Sequence, residues 1–196
     1  MIWIIISLAI MILFYGIYFG KLILQKKRGI KTDQIAKRKV KDKVFYTELF
    51  LKLATYFIVP TELLSIIFQW SCLPAGFRIA GAVLGFAGVG IFGAAVYAMK
   101  DSWRAGLAEG DDRKMIKEGI YKYSRNPAFL GFDLVYVGLA LMYCNLPLIF
   151  CSLFAMVMLH VQIKQEEAFL PNVFEEEYTD YCEQVSRYFG RKSKKE

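Results

Sequence analysis

Long apolar runs limit this chain to few architectures. Residues 2 to 24 form such a run, and its one lysine, Lys21, lies near the end. A helix of this length spans a hydrocarbon layer of about 30 Å at about 1.5 Å per residue. Basic residues follow the run instead of preceding it, which is the reverse of a secretory signal peptide. The run therefore predicts a retained membrane helix with its N-terminus outside.

Further apolar stretches repeat this pattern, at residues 44 to 70, 77 to 99, 128 to 143 and 147 to 163. The last two are joined at Asn145-Leu146-Pro147 and indicate a membrane hairpin. We predict an all-α integral membrane protein with about five transmembrane helices and a cytosolic C-terminal helix. Residues 1–196 are taken as one domain, with three membrane helices in 1–99 and a polar loop, the hairpin and the C-terminal helix in 100–196.

Composition supports membrane embedding and gives the charge a different meaning from that in a soluble protein. Hydrophobic residues make up 56% of the chain, the mean hydropathy is +0.36 and the formal net charge is +7. Nine Lys and Arg residues fall between Lys26 and Lys43, beside an apolar stretch. Such charges mark the cytoplasmic side and interact with anionic headgroups. We expect a multi-pass protein of the inner or plasma membrane, C-terminus cytoplasmic, with the bilayer and not nucleic acid as its partner.

The four cysteines do not form a metal-binding pattern. They are scattered without CxxC spacing, as Cys72, Cys144, Cys151 and Cys182. Structural zinc sites need closely paired ligands, and disulfide frameworks occur in small, cysteine-rich secreted chains. The sequence therefore predicts neither a metal site nor a disulfide framework.

Glycines are concentrated in the third apolar stretch. The spacing of Gly81 and Gly85 favours close helix packing in a membrane. The segment GFAGVG, residues 85 to 90, does not follow a strand as nucleotide-binding glycine loops do. The glycines therefore predict a tightly packed helix.

Polar residues flank the predicted hairpin on both sides. Arg125-Asn126-Pro127 precedes it, and His160 and Glu166-Glu167 lie at its end. Ionisable groups at such positions indicate a binding site, and a helix entrance beside a guanidinium favours anions. An arginine snorkelling to phosphate and a histidine that only packs are the alternatives. Because a hairpin returns the chain to the same membrane face, we expect one composite site on the cytoplasmic side.

The pattern GIYxYxRNPxxLG, followed by HxxxxxEExxL and then EYxxYxxxVxR, resembles the isoprenylcysteine carboxyl methyltransferase and phospholipid methyltransferase superfamily. The resemblance implies a membrane enzyme that binds S-adenosylmethionine beneath its cytosolic loops and C-terminal helix. It also implies methyl transfer to a lipid or isoprenoid-like acceptor received from the bilayer.

By this resemblance, cofactor binding is expected of Met115, Ile116, Tyr121, Asn126, Pro127, Ala128, Phe129 and Glu166. Arg125 is expected to hold an anionic group of cofactor or substrate. An amine or hydroxyl acceptor would also need proton removal, for which Glu167 and His160 are the candidates. All three are treated as catalytic residues.

Two residues are expected to contact the acceptor. Gln162 stands where eukaryotic isoprenylcysteine enzymes have an arginine for the substrate carboxylate. Glu62 interrupts the second apolar stretch, where it would either line a substrate cavity or lie near the outer interface.

Two other functions are compatible with the sequence. Sterol-type NADPH reductases have a related C-terminal arrangement, but their lysine-rich KYG-like stretch is replaced here by residues 174 to 178. A non-catalytic lipid-binding protein is the other alternative. Asn126 in place of a frequent histidine, Phe129 in place of a tyrosine, and Gln162 favour it.

Overall fold

A computed structural model describes the chain in residues 1–30, 32, 35–37, 41–104 and 115–192. Part of the basic segment expected to lie on the headgroups falls outside the described residues.

The described residues form six α-helices: α1 Ile2–Lys27, α2 Lys43–Phe68, α3 Gly76–Met99, α4 Pro127–Met142, α5 Leu146–Phe169 and α6 Pro171–Gln184. Short 3₁₀ turns lie at Lys100–Ser102 and Gly119–Lys122. The predicted all-α fold is confirmed. Within the described part of the chain, α1, α2, α3 and α5 are long and apolar enough to cross a membrane, while α4 is apolar but has 16 residues. These helices indicate an integral membrane protein.

Helices α3 and α4 are in backbone contact through glycines. A Cβ atom built on Gly88 would lie 2.7 Å from the carbonyl oxygen of Gly131, and one on Gly131 would lie 2.9 Å from that of Gly88. Gly81 and Gly138 meet in the same way. Small residues are what permit such an approach between membrane helices. The close packing predicted from the glycine spacing is therefore present, and it holds the first turn of α4 against α3.

Helices α2 and α5 are antiparallel and linked by polar side chains. The Gln165 side-chain amide donates to the Thr47 hydroxyl at 2.8 Å, and the Thr61 hydroxyl lies 3.7 Å from the Cys151 sulfur. These pairs fix the register of the two helices. Each residue further along α2 lies opposite a residue one position earlier in α5. Any residue of α2 can therefore be placed opposite a residue of α5.

The loops at the other end of the bundle meet at two cysteines. The Cys72 backbone N–H donates to the Cys144 carbonyl oxygen at 2.9 Å, and the two sulfurs are 3.6 Å apart. Both thiols are free. This pairing joins the α2–α3 loop to the α4–α5 loop, although the sequence spacing predicted no association between cysteines.

We expect Gly88→Ala to lower the free energy of unfolding by about 1–3 kcal/mol, because the added methyl group would force the α3 and α4 backbones apart. The matched control is Gly90→Ala, since no atom beyond the adjacent helix backbone lies within 4 Å of the Cβ position there. Thermal unfolding in detergent measures both. Equal melting temperatures for the two variants would contradict the described α3–α4 contact.

We expect a small-molecule disulfide to convert Cys72 and Cys144 to an intramolecular disulfide by thiol–disulfide exchange. Two protein thiols are oxidised while the reagent's disulfide is reduced to two thiols. Peptide mass spectrometry under non-reducing conditions detects the link, and Cys72→Ser removes it. A link of Cys72 to Cys151 or Cys182 instead would contradict the loop arrangement.

Candidate functional site

A cavity of about 700 Å³ lies between α1, α2, α4, α5 and α6. Its wall on the α1 and α2 side is aromatic and apolar, with Tyr15, Phe19, Tyr56 and Val59 on the lining. Its other end is lined by α6 and by the segment that precedes α4. A volume of this size is typical of small-molecule and cofactor sites.

Nine of the residues predicted from sequence line this cavity: Met115, Ile116, Tyr121, Arg125, Asn126, Ala128, Phe129, Gln162 and Glu166. They come from segments on both sides of the α4–α5 hairpin. The expected convergence of the two polar regions is therefore present in the structure. Their roles toward a ligand stay predictions.

The polar end of the cavity contains a hydrogen bond between two side chains of α5. The Gln162 side-chain amide donates to Glu166 Oε1 at 3.1 Å, as expected for residues four apart on one helix face. Gln162 Oε1 and Arg125 Nε are buried, and neither has a partner among the described residues. Unpaired buried polar atoms are costly, so an acceptor and a donor are available to a ligand here.

Glu167 lies on another face of α5 and joins three segments. Its carboxylate accepts from Arg125 at 3.0 Å, from Arg187 at 2.7 Å and from the Asn126 side-chain amide at 3.2 Å. The side chains of Arg125 and Glu167 are only 11% and 12% exposed. The hydrogen bond from Arg187 to Glu167 also raises the pKa of Arg187. Glu167 therefore fixes the position of Arg125 beside the cavity.

The segment after α6 docks against the motif through its backbone. The N–H groups of Arg125 and Asn126 donate to the carbonyl oxygens of Ser186 and Arg187, at 3.1 and 3.2 Å. In the other direction, the Gly190 N–H donates to the Tyr123 carbonyl oxygen at 2.7 Å. These bonds hold the entrance of α4 in place.

A buried tyrosine on α6 adds a further link to the motif. The Tyr181 hydroxyl donates to the Tyr121 carbonyl oxygen at 2.6 Å. Burial raises the pKa of both Tyr121 and Tyr181, so both hydroxyls stay protonated at physiological pH. This hydrogen bond links α6 to the segment that precedes α4, at the polar end of the cavity.

His160 does not line the cavity. Its Nδ1 is hydrogen-bonded to the Tyr188 hydroxyl, and the two rings are stacked with centroids 6.0 Å apart. It shares a face of α5 with Glu167, seven residues on, whereas Leu159, Gln162 and Glu166 face the cavity. His160 and Glu167 thus both point toward the C-terminal segment.

The remaining predicted residues also lie off the lining. Pro127 begins α4 at a position where its missing N–H costs nothing. Glu62 is fully buried inside α2 and accepts a hydrogen bond from Tyr15 at 3.0 Å. Tyr15 and Tyr136 line the cavity beside it. Glu62 therefore supports the cavity wall from behind.

Sequence reasoning missed several residues of the lining and its support. Trp103 lines the polar end and Lys52 lines the wall from α2; Tyr178 and Tyr181, which the third motif contains without an assigned role, also line the polar end. A lysine within an apolar stretch was a signal for Lys52. Arg187 was marked only as the last letter of the third motif, and nothing local to it indicated a contact with Glu167.

The phospholipid methyltransferase family model matches residues 77–177. This match covers α3, the motif before α4, the hairpin and the first half of α6. The chain belongs to the phospholipid methyltransferase family. Membership supports membrane methyltransferase activity in general. A comparison with curated proteins found no match.

Two parts of the site lie outside the family match. Arg187, which holds Glu167, follows it, and the cavity wall formed by α1 and α2 precedes it.

We expect Glu167→Gln to loosen the C-terminal segment, because Arg125 and Arg187 would lose their shared carboxylate. A charged hydrogen bond contributes about 1.5–3 kcal/mol, so amide exchange should accelerate by about 10- to 100-fold at Arg125, Asn126 and Gly190. Hydrogen exchange by mass spectrometry reads these amides. Glu183→Gln, at an exposed position on α6, is the control. Unchanged exchange in both variants would mean that the ion pairs do not hold the segment.

Proposed function

We propose that this protein transfers a methyl group from S-adenosylmethionine to a lipid or isoprenoid-like acceptor. The observation that carries this proposal is the cavity itself. It joins a polar end built from the family's motif residues to an apolar wall from two membrane helices. A polar cofactor and a lipid chain would need these two environments in contact.

The polar end fits the functional groups of the cofactor. Arg125 Nε is a buried donor without a partner among the described residues, which suits a carboxylate. Gln162 Oε1 is a matching acceptor, and Glu166 adds a carboxylate on the lining, so both suit an ammonium group. Tyr121, Tyr178 and Tyr181 supply aromatic surface for adenine and for a sulfonium. These residues would hold the cofactor.

S-adenosylmethionine, when bound, supplies a methyl group on a positively charged sulfur. The protein's task is to align acceptor and methyl group and to keep water away. The docked α6 and the segment after it would exclude water above the site. Arg125, fixed by Glu167, and Asn126, held through its backbone by Arg187, would keep the binding geometry rigid.

An amine or hydroxyl acceptor would also need a proton acceptor within reach. Glu166 is the carboxylate on the described part of the lining. Glu167 is engaged by two guanidinium groups, and His160 by Tyr188. Because Glu166 lines the cavity while Glu167 and His160 do not, we assign proton removal to Glu166 and positioning to Glu167 and His160.

The acceptor would arrive through the wall formed by α1 and α2. Phe19 and Tyr56 both line the cavity and are 55% and 66% exposed, so they connect it with the surrounding lipid. Lys26, Lys27 and Lys43 lie at the same end of these helices as the polar site. By the positive-inside rule, these lysines support a cytoplasmic position for the proposed chemistry.

We expect S-adenosylmethionine and its demethylated product to bind the detergent-solubilised protein saturably. Glu166→Gln should weaken binding about tenfold or more, because a charged hydrogen bond is lost. Calorimetric titration measures this. Glu176→Gln, exposed on α6, should bind as the wild type does.

The same experiment separates the other functions considered. Thermal stabilisation by NADPH without binding of S-adenosylmethionine would favour a reductase. Cofactor binding without a methylated lipid product would favour a non-catalytic lipid-binding protein. No binding of either cofactor would overturn the proposal.

A further inference from the structure

Lys52 is a charged side chain within a membrane-spanning helix, and it lines the cavity. It lies nine residues after Lys43, where α2 begins, so it is about 14 Å along the helix. Ionisable side chains in such positions are costly and often mark a substrate path. Thr55 and Tyr56, three and four residues on, share its face and also line the cavity.

The register of α2 and α5 places Lys52 at the polar end. Thr47 is bonded to Gln165 and Thr61 contacts Cys151, so residue 52 of α2 lies opposite residue 160 of α5. Gln162 is two residues from that level, or about 3 Å along the axis. Lys52 and Gln162 therefore line the cavity from two helices at nearly the same depth.

The Lys52 ammonium group has no counter-charge in the described structure. No described residue forms an ion pair or a side-chain hydrogen bond with it. The other cations on the lining do have acceptors in the protein. Arg125 pairs with Glu167, and Arg104 donates to the carbonyl oxygen of Trp103 at 3.0 Å. Among the described lining cations, Lys52 is thus the one without an acceptor in the protein.

We infer that Lys52 binds the acidic group of the lipid acceptor, a carboxylate or a phosphate at the end of an apolar chain. This inference rests on the proposed function and narrows its acceptor class. A charge in a low-dielectric cavity is stabilised strongly by an opposite charge. The aromatic wall of α1 and α2 would take the chain, while Lys52 holds the acidic end beside Gln162.

Three ligands of matched chain length test this inference: a long-chain carboxylic acid, a long-chain phosphatidic acid and a long-chain alcohol. Each is titrated into wild type, Lys52→Gln, Lys52→Arg and Lys43→Gln in detergent. Lys43 is the matched control, because it begins the same helix, is exposed and does not line the cavity. Thermal unfolding of each variant shows whether it is folded.

Lys52→Gln should weaken binding of at least one acidic ligand about tenfold or more, with the alcohol unchanged. Lys52→Arg should restore most of the loss, and Lys43→Gln should show none. The ligand with the larger loss tells carboxylate from phosphate. Equal loss for acid and alcohol would mean that Lys52 only packs, and no loss for any ligand would mean that it only reaches headgroups. Either result overturns the inference.

S-adenosylmethionine binding is measured on the same samples, so the two proposals fail separately. Lys52→Gln should bind the cofactor as the wild type does. Selective binding of acidic lipids without cofactor binding in the wild type would overturn the proposed function and keep the role of Lys52. Binding of the cofactor, without any dependence of acidic-lipid binding on Lys52, would keep the proposed function and overturn the role of Lys52.

Discussion

The carboxylate of Glu167 is the interaction on which the site depends. It joins α5 to Arg125, at the entrance of α4, and to Arg187, in the segment after α6. Without it, two guanidinium groups would face each other across the end of a membrane bundle. Because Arg125 is nearly buried, its direction toward the cavity follows from this pairing. The side chain of Glu167 thus orients Arg125 at the site and holds the segment after α6 against it.

The glycine contact between α3 and α4 is the second constraint. Helix α4 has 16 residues, fewer than a spanning helix usually needs, and its first turn carries the motif residues. Contact with α3 through Gly88 and Gly131 fixes how deep that turn lies. The α2–α5 register independently sets the depth of Gln162. Both sides of the cavity's polar end are therefore placed by helix packing.

The sequence predicted the helices better than it predicted the faces they present. Apolar runs located α1 to α4 to within a few residues, because hydropathy and helix length carry the same signal in a membrane. Helix α5 continues to Phe169, beyond the predicted end at residue 163. Its last turns are polar but remain helical, so hydropathy could not show them. This continuation puts Glu166 on the cavity side and Glu167 on the docking side.

Long-range pairings were the part that sequence could not provide. The contact of Glu167 with Arg187 joins residues 20 positions apart around a turn between helices, and nothing in their spacing indicates it. The same holds for His160, whose partner Tyr188 follows α6. The resemblance assigned Glu167 and His160 to the site. It could not distinguish a residue that contacts a ligand from one that positions a neighbouring residue.

The cavity divides into two parts of different origin, and this division bears on specificity. Most of the polar end comes from the segment matched by the family, which suits a cofactor that related proteins would share. The aromatic wall with Tyr15 and Tyr56, and Lys52 where that wall meets the polar end, come from α1 and α2, outside that match. Substitutions in this wall can alter the surface that binds the lipid chain, and its charge, without disturbing the ion pairs of Glu167. Acceptor choice would therefore be decided by the first two helices and methyl transfer by the hairpin. Lys52, which is unpaired among the described residues, is for this reason informative about the acceptor.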